Sequence, residues 1–308
     1  MTQRLPMAFI LTTLTLDAIG FGLIMPVMPE LLRAVTGGDL ARAALWGGLL
    51  TGGFAVMQFL FGPLIGNLSD RFGRKPVLLA SLAVLAVDYT VLALASTLWL
   101  IFAARLMTGI ASATFSTASA YIADLSTPEQ KAQRFGLIGA AFGAGFVMGP
   151  AIGGLLAGLD LRAPFVAAAL VAAANLLFGA LVMRESLPRA RPFDWRRANP
   201  FGAFRAIGRL PQLARYLVIY TAHEFGFAVY PVIWAYFGIA RFGWSATEVG
   251  LSLAFYGIGF AVVQGALIGP AQRFLGRGGT MVAGLCAGIL GLLAMVWVAS
   301  IDLTMVIG

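Results

Sequence analysis

The sequence predicts an all-α integral membrane protein, and three observations carry that prediction. Of the 308 residues, 60% are hydrophobic and only 11% are charged, and the mean hydropathy is +0.89. Soluble domains carry about 25% charged residues, so lipid must be the main solvent of this chain. The apolar segments are continuous rather than alternating, which favours helices over a β-barrel. Glycine is abundant, at 38 residues, and small residues let membrane helices pack closely.

The predicted spans follow from the length of each apolar segment, because a membrane helix needs about 20 mostly apolar residues. We predict nine complete spans and the start of a tenth near Leu303. The complete spans are 7–28, 45–66, 76–96, 98–122, 135–157, 164–183, 213–237, 246–268 and 279–300. The first contains Asp17 and has no small-residue cleavage site, so we interpret it as a retained span rather than a signal peptide.

The placement of Lys and Arg predicts the topology. With a cytoplasmic N-terminus, 16 of the 21 basic residues fall in cytoplasmic segments and 4 in outer loops, as the positive-inside rule requires. The arginine-rich segment 184–212 is predicted to be a cytoplasmic linker between a six-helix bundle, 1–183, and an incomplete second bundle, 213–308. This topology accounts for the net charge of +8, so we expect no nucleic acid as a partner.

An internal echo supports two related halves. Leu64-Ile65-Gly66 precedes Gly73-Arg74, and Leu267-Ile268-Gly269 precedes Gly276-Arg277 at the same spacing. Both series lie at a predicted cytoplasmic turn after an even-numbered span. Repeats of this kind are typical of membrane carriers.

Five ionisable residues lie well inside predicted spans, away from the span ends. Asp17, Asp88 and Arg105 lie in the first, third and fourth spans, and His223 and Glu224 lie about half-way along the seventh. Such groups cost free energy in hydrocarbon and normally face a bundle interior or a cavity. A desolvated aspartate can exchange protons near neutral pH, and a nearby arginine can reverse that shift. An Asp–Arg switch and a static ion pair between helices are both compatible with this pattern.

Two glycine-containing series carry further signals. Between spans two and three, Gly66 is expected to allow close helix approach, Gly73 a turn that other residues resist, and Asp70 a bond to basic neighbours. Span five repeats glycine every four residues, which predicts a flat, pliable packing face bent at a proline. The candidate residues are Gly66, Asp70, Arg71, Gly73, Arg74 and Lys75 in the loop, and Gly145, Gly149, Pro150, Gly153 and Gly154 in the span.

These series resemble known signatures. The Gly66–Pro76 series resembles the loop signature of the major facilitator superfamily, and Gly145–Gly154 resembles the antiporter signature of its drug:proton exchangers. More narrowly, Leu16–Pro26, Asp88-Tyr89 and Arg105–Gly109 resemble the corresponding spans of tetracycline efflux proteins. The resemblance implies a twelve-span fold, so the last spans would lie beyond Gly308.

The resemblance also implies roles. Asp17, Asp88 and Arg105 match positions needed for proton coupling, and the loop residues match the gating loop. Gln58 matches the substrate pathway, to which we add His223, Glu224 and Gln264, the last through the echo between 54–58 and 260–264. The implied protein is a functional monomer in a bacterial-type inner membrane that exchanges an amphipathic drug for protons. It needs no cofactor, although a divalent cation carried with the drug is one open alternative.

Three hypotheses about function stay open. The first is export of tetracycline or a related compound. The second is export of a different drug or metabolite, because Phe260 stands where the resemblance implies a histidine. The third is a truncated membrane fragment that does not transport. An enzyme is not expected, because phosphate-binding loops, paired metal-binding motifs and serine elbows are absent from the sequence.

Overall fold

The computed structural model describes residues 4–112, 114–187, 192–195, 198–202 and 211–300, and these are predominantly helical. The helices are α1 (Arg4–Ile24), α2 (Met28–Thr36), α3 (Leu40–Phe72), α4 (Arg74–Leu94), α5 (Leu98–Ala111), α6 (Thr114–Asp124), α7 (Pro128–Ala157), α8 (Ala163–Val182), α9 (Pro211–Phe242), α10 (Ala246–Val262) and, after a π-helical turn (Val263–Leu267), α11 (Ile268–Ser300). This confirms the predicted all-α membrane fold.

Within the described residues, eight helical segments are long and apolar enough to cross a membrane, when α5 and α6 are counted together as one segment, Leu98–Asp124. The helix α10 is a shorter apolar helix. The predicted first span 7–28 runs too far, because α1 ends at Ile24. A turn that contains Pro26 follows, and α2 begins at Met28 with Pro29 in its first turn. The predicted eighth span, 246–268, is α10 followed by the π-helical turn. The predicted start of a tenth span near Leu303, and much of the predicted linker, lie outside the described residues.

Helix ends follow local chemistry. Asp39 precedes α3, and its side chain accepts a hydrogen bond from the Ala41 backbone N–H at 3.0 Å, as a helix N-cap should. Gly73 lies between α3 and α4 with φ 105°, and Gly276 interrupts α11 with φ 68°. Both glycines come from the internal echo, and both take a positive φ that other residues rarely adopt. The predicted turn at Gly73 is therefore confirmed.

Two apolar clusters lie at different levels of the helices. One combines Leu23 on α1 with Leu92 on α4 and Phe165 on α8. The other combines Leu14 on α1 with Leu78 on α4 and side chains of α6 and α7. On α1, Asp17 lies between these two levels, whereas on α4 Asp88 lies beside Tyr89 of the first cluster.

The chain forms two compact units, 1–254 and 255–308. The first unit contains α1 to α9 and the beginning of α10. Its principal packing joins α1 with α7, α4 with α8, and α3 with α5. The second unit contains the rest of α10, the π-helical turn and α11. The predicted division into two bundles around 184–212 stays a prediction.

Candidate functional site

A buried ion pair joins α4 and α5. Asp88 accepts two hydrogen bonds from the Arg105 guanidinium, one from Nε at 3.3 Å and one from a terminal nitrogen. The Asp88 side chain is 1% exposed and that of Arg105 is 12% exposed. Each charge alone would cost about 2.5–3.5 kcal/mol in hydrocarbon on insertion scales, whereas a bidentate pair satisfies both. The structure thus brings two of the predicted charges into direct contact.

The third predicted charge lies near this pair. Asp17 is partly buried on α1 and interacts electrostatically with Tyr89, the neighbour of Asp88. The Tyr89 hydroxyl packs over Gly20, one helical turn after Asp17. Asp17, Asp88 and Arg105 together carry one net negative charge when both acids are ionised and none after one acid binds a proton.

The predicted loop forms a second polar network, centred on Arg74. This arginine is 7% exposed. Its guanidinium pairs with Asp70 at 2.6 Å and with Asp124 at 3.2 Å, and it donates a hydrogen bond to Ser69 Oγ at 2.6 Å. The expected bond from Asp70 to a basic neighbour is confirmed. Asp124, at the end of α6, is a partner that sequence reasoning missed.

Glu185 is a second missed residue of this network. Its carboxylate accepts hydrogen bonds from the backbone N–H groups of Arg74 at 2.8 Å and Lys75 at 3.0 Å. These are the first N–H groups of α4, which have no partner within the helix, and the negative charge also favours the helix N-terminus. A side chain on Gly73 would collide with Glu185. One sequence signal was available, because Glu185 is an acid among the arginines that open the linker.

The remaining loop residues differ in their surroundings. Lys75 Nζ donates to the Ala180 carbonyl at 3.0 Å, and the exposed Arg71 guanidinium lies 5.2 Å from the Phe72 ring centre. The predicted close helix approach at Gly66 is wrong for this conformation. A Cβ added there would meet no described atom within 4 Å, so no other described helix approaches α3 closely at Gly66.

The linker contacts the same end of α3. The Asn67 side chain donates to the Asp194 carbonyl at 2.5 Å and accepts from the Asp194 N–H at 3.4 Å. Farther along α3, Phe59 and Phe201 meet edge to face, with ring centres 5.6 Å apart. Two separated points of the linker are therefore fixed to one helix.

The glycine series of α7 contacts two helices. A Cβ on Gly145, Gly149 or Gly153 would come within 3.0 Å of atoms of α1. A Cβ on Gly154 would meet the backbone of Ala246 and Gly250 on α10 instead. The predicted flat packing face is therefore confirmed, and Pro150 lies within the helix as expected.

Three of the four predicted substrate-pathway residues have exposed side chains. Gln58 is exposed on α3. His223 and Glu224 on α9 are 55% and 49% exposed, with His223 Nδ1 3.7 Å from Glu224 Oε1. The side chain of Gln264 lies outside those that the structure describes. Exposure suits residues that line a cavity, and their roles stay predictions.

The chain matches a known protein family over almost its whole length. The model of the Major Facilitator Superfamily matches residues 10–308. This chain belongs to the Major Facilitator Superfamily. Members of this family are transporters, so the match places the chain in a transporter family rather than in an enzyme class.

Several superfamily members are close relatives. The chain is 44% identical to the tetracycline resistance protein, class C, of Escherichia coli, over 92% of this chain and 71% of that protein. It is 40% identical to the class G protein of Vibrio anguillarum, over 88% and 69%. The crystal structure of the human organic anion transporter MFSD10 (TETRAN) matches with a TM-score of 0.69 and 28% identity, over 87% of this chain and 72% of that one.

Proposed function

We propose that this protein exports an amphipathic drug of the tetracycline type in exchange for protons. Its family membership and its identity to tetracycline resistance proteins support drug efflux. The observation that carries the proton-coupled mechanism is the group of Asp17, Asp88 and Arg105 inside the apolar helices α1, α4 and α5. We further propose an inner membrane location, with the N-terminus in the cytoplasm.

The cluster can couple proton binding to a change of conformation. When Asp17 is ionised, the three charges leave one net negative charge in a region of low dielectric. Binding of a proton to Asp17 removes that charge, so the preferred packing of α1 against Tyr89 of α4 changes. Asp88 is held by two hydrogen bonds to Arg105, so Asp17 is the acid that we propose to bind and release the transported proton.

Two helix contacts support alternating access. Tyr236 on α9 packs directly against Gly47 on α3, and Gly250 on α10 packs against Gly154 on α7. Under the predicted topology, both contacts lie at the outer side of the membrane. We propose that this conformation is closed to the outside, that cargo enters from the cytoplasm, and that both contacts open when it leaves.

The membrane potential supplies enough energy for this exchange. If one net positive charge enters per cycle, 100 mV provides about 2.3 kcal/mol. At about 1.4 kcal/mol per tenfold change in an equilibrium, this supports an approximately 50-fold gradient of drug. A divalent cation that travels with the drug stays part of the proposal.

The test is drug-induced proton release from inverted membrane vesicles whose lumen has been acidified. We expect tetracycline to raise the luminal pH with the unaltered protein and Asp17→Asn to reduce that response at least tenfold. The matched control is Asp39→Asn, because asparagine also caps a helix and Asp39 lies before α3. A normal response with Asp17→Asn would remove Asp17 from the coupling site.

A second candidate function keeps the mechanism and changes the cargo. Phe260 lies on α10 and is 47% exposed, at the position where the resemblance to tetracycline carriers implies a histidine. The same vesicle measurement with a panel of amphipathic drugs distinguishes the two. A response to tetracycline alone supports the first function, and a larger response to another compound supports the second.

A further inference from the structure

A buried tyrosine lies between the charges of the candidate site. Tyr89 is 2% exposed on α4. A Cβ built on Gly20 would lie 3.0 Å from the Tyr89 hydroxyl oxygen, so this oxygen is seated against α1. Asp17 lies on the same face of α1, one turn earlier, and interacts electrostatically with Tyr89.

The ring of the same tyrosine faces the other charges. The Arg105 guanidinium carbon lies 6.0 Å from the centre of the Tyr89 ring, at the edge of the range for a cation–π contact. Arg105 in turn holds Asp88. Tyr89 thus has Asp17 of α1 and Arg105 of α5 as charged neighbours, and Asp88 precedes it on its own helix.

We propose that Tyr89 is a positioning residue that transmits the protonation state of Asp17 to the Asp88–Arg105 pair. This inference rests on the proposed proton-coupled function. An ionised carboxylate only accepts hydrogen bonds, whereas a protonated carboxyl can also donate one. The Tyr89 hydroxyl therefore donates toward ionised Asp17 and accepts from protonated Asp17. The transported proton stays on Asp17, and only the direction of the hydroxyl hydrogen changes.

Reorientation of the hydroxyl has a consequence for Arg105. The Tyr89 hydroxyl packs against Gly20, and the Arg105 guanidinium lies 6.0 Å from the centre of the same ring. The hydroxyl dipole therefore acts on both sides of the site. Loss of the hydroxyl would leave the three charges in place but would remove the group between them. The structure therefore assigns Tyr89 to coupling rather than to drug binding.

The test compares Tyr89→Phe with Tyr121→Phe. Phenylalanine keeps the ring and removes only the hydroxyl. Tyr121 is a matched control because it is 1% exposed and its hydroxyl donates to the Arg184 carbonyl at 2.9 Å. Two rates are measured in vesicles: tetracycline uptake driven by a pH gradient, and tetracycline exchange without a gradient. Loss of a hydrogen bond to a charged group corresponds to about a tenfold change or more.

We expect Tyr89→Phe to lower gradient-driven uptake about tenfold while exchange without a gradient is kept, and Tyr121→Phe to leave the ratio of the two rates unchanged. If Tyr89→Phe keeps the ratio of the unaltered protein, the inference about Tyr89 is wrong and the proposed function stands. If the unaltered protein shows exchange but no gradient-driven uptake, the proposed function and this inference both fail.

Two further measurements cover the case in which Tyr89→Phe folds poorly. Gly20→Ala places a methyl group against the Tyr89 hydroxyl and should lower the same ratio, whereas Gly48→Ala, which meets nothing within 4 Å, should not. In infrared difference spectra of membranes, the carboxyl band that Asp17→Asn removes should shift in frequency when the hydroxyl is absent. An unshifted band, or equal ratios in the two glycine variants, would overturn the inference.

Discussion

Replacement of Gly149 by alanine places a methyl group between α7 and α1. The ideal Cβ lies 2.7 Å from the Ile19 carbonyl oxygen and 2.8 Å from the Gly22 Cα. Both are backbone atoms, so no flexible side chain can move aside. Overpacking of this kind costs about 1–3 kcal/mol. Alanine also gains about 1 kcal/mol of helix propensity over glycine, so the net loss of unfolding free energy is about 0–2 kcal/mol.

Gly143 on the same helix provides the control, because a Cβ there meets nothing within 4 Å. Gly143→Ala gains the same helix propensity without the collision. The propensity term therefore cancels, and the two variants should differ in unfolding free energy by about 1–3 kcal/mol. The assay is unfolding of the purified protein in mixed micelles by increasing fractions of SDS. Equal unfolding free energies for the two variants would refute the packing argument.

Two more predictions concern the polar network centred on Arg74 and the linker contacts of α3. Glu185→Gln removes a charge at the N-terminus of α4 and should lower the unfolding free energy by about 1–2 kcal/mol in the same SDS titration. The control, Glu30→Gln in the short helix α2, should lower it by less than about 0.5 kcal/mol. Equal losses for the two variants would contradict the capping role of Glu185. Asn67→Ala removes both bonds to Asp194, so trypsin should cut the arginine-rich linker about tenfold faster, as expected for about 1 kcal/mol of net hydrogen bonding. The control, Thr51→Ala, loses only a hydroxyl hydrogen bond within α3 and should leave the cleavage rate unchanged. If Asn67→Ala also leaves the rate unchanged, the bonds between Asn67 and Asp194 do not hold the linker.

The fold could be predicted well because the length and apolar composition of a segment are enough to identify a membrane helix. The errors lie where the chain departs from a simple helix. The prolines Pro26 and Pro29 did not by themselves predict that the first helix ends at Ile24. The π-helical turn at Val263–Leu267 does not change the hydropathy of the segment. The close approach expected at Gly66 did not occur, whereas the approaches at Gly149 and Gly153 did. A glycine permits contact, and the neighbouring helix decides whether contact is made.

The candidate site was predicted in part for the same reason. Asp17, Asp88 and Arg105 are conspicuous because ionisable residues are costly in lipid. Tyr89 and Glu185 were missed as site residues. A tyrosine in an apolar helix and an acid at a linker are ordinary features until their neighbours are known.

By itself, the sequence determined that this protein lies in a membrane, which segments span it, and which few charges must be sheltered there. These are consequences of composition, since the transfer of each residue into lipid depends mainly on that residue. The tertiary structure alone decided that Arg105 holds Asp88 while Tyr89 lies between them and α1. Partners from different helices are fixed by packing, and packing depends on all the helices at once.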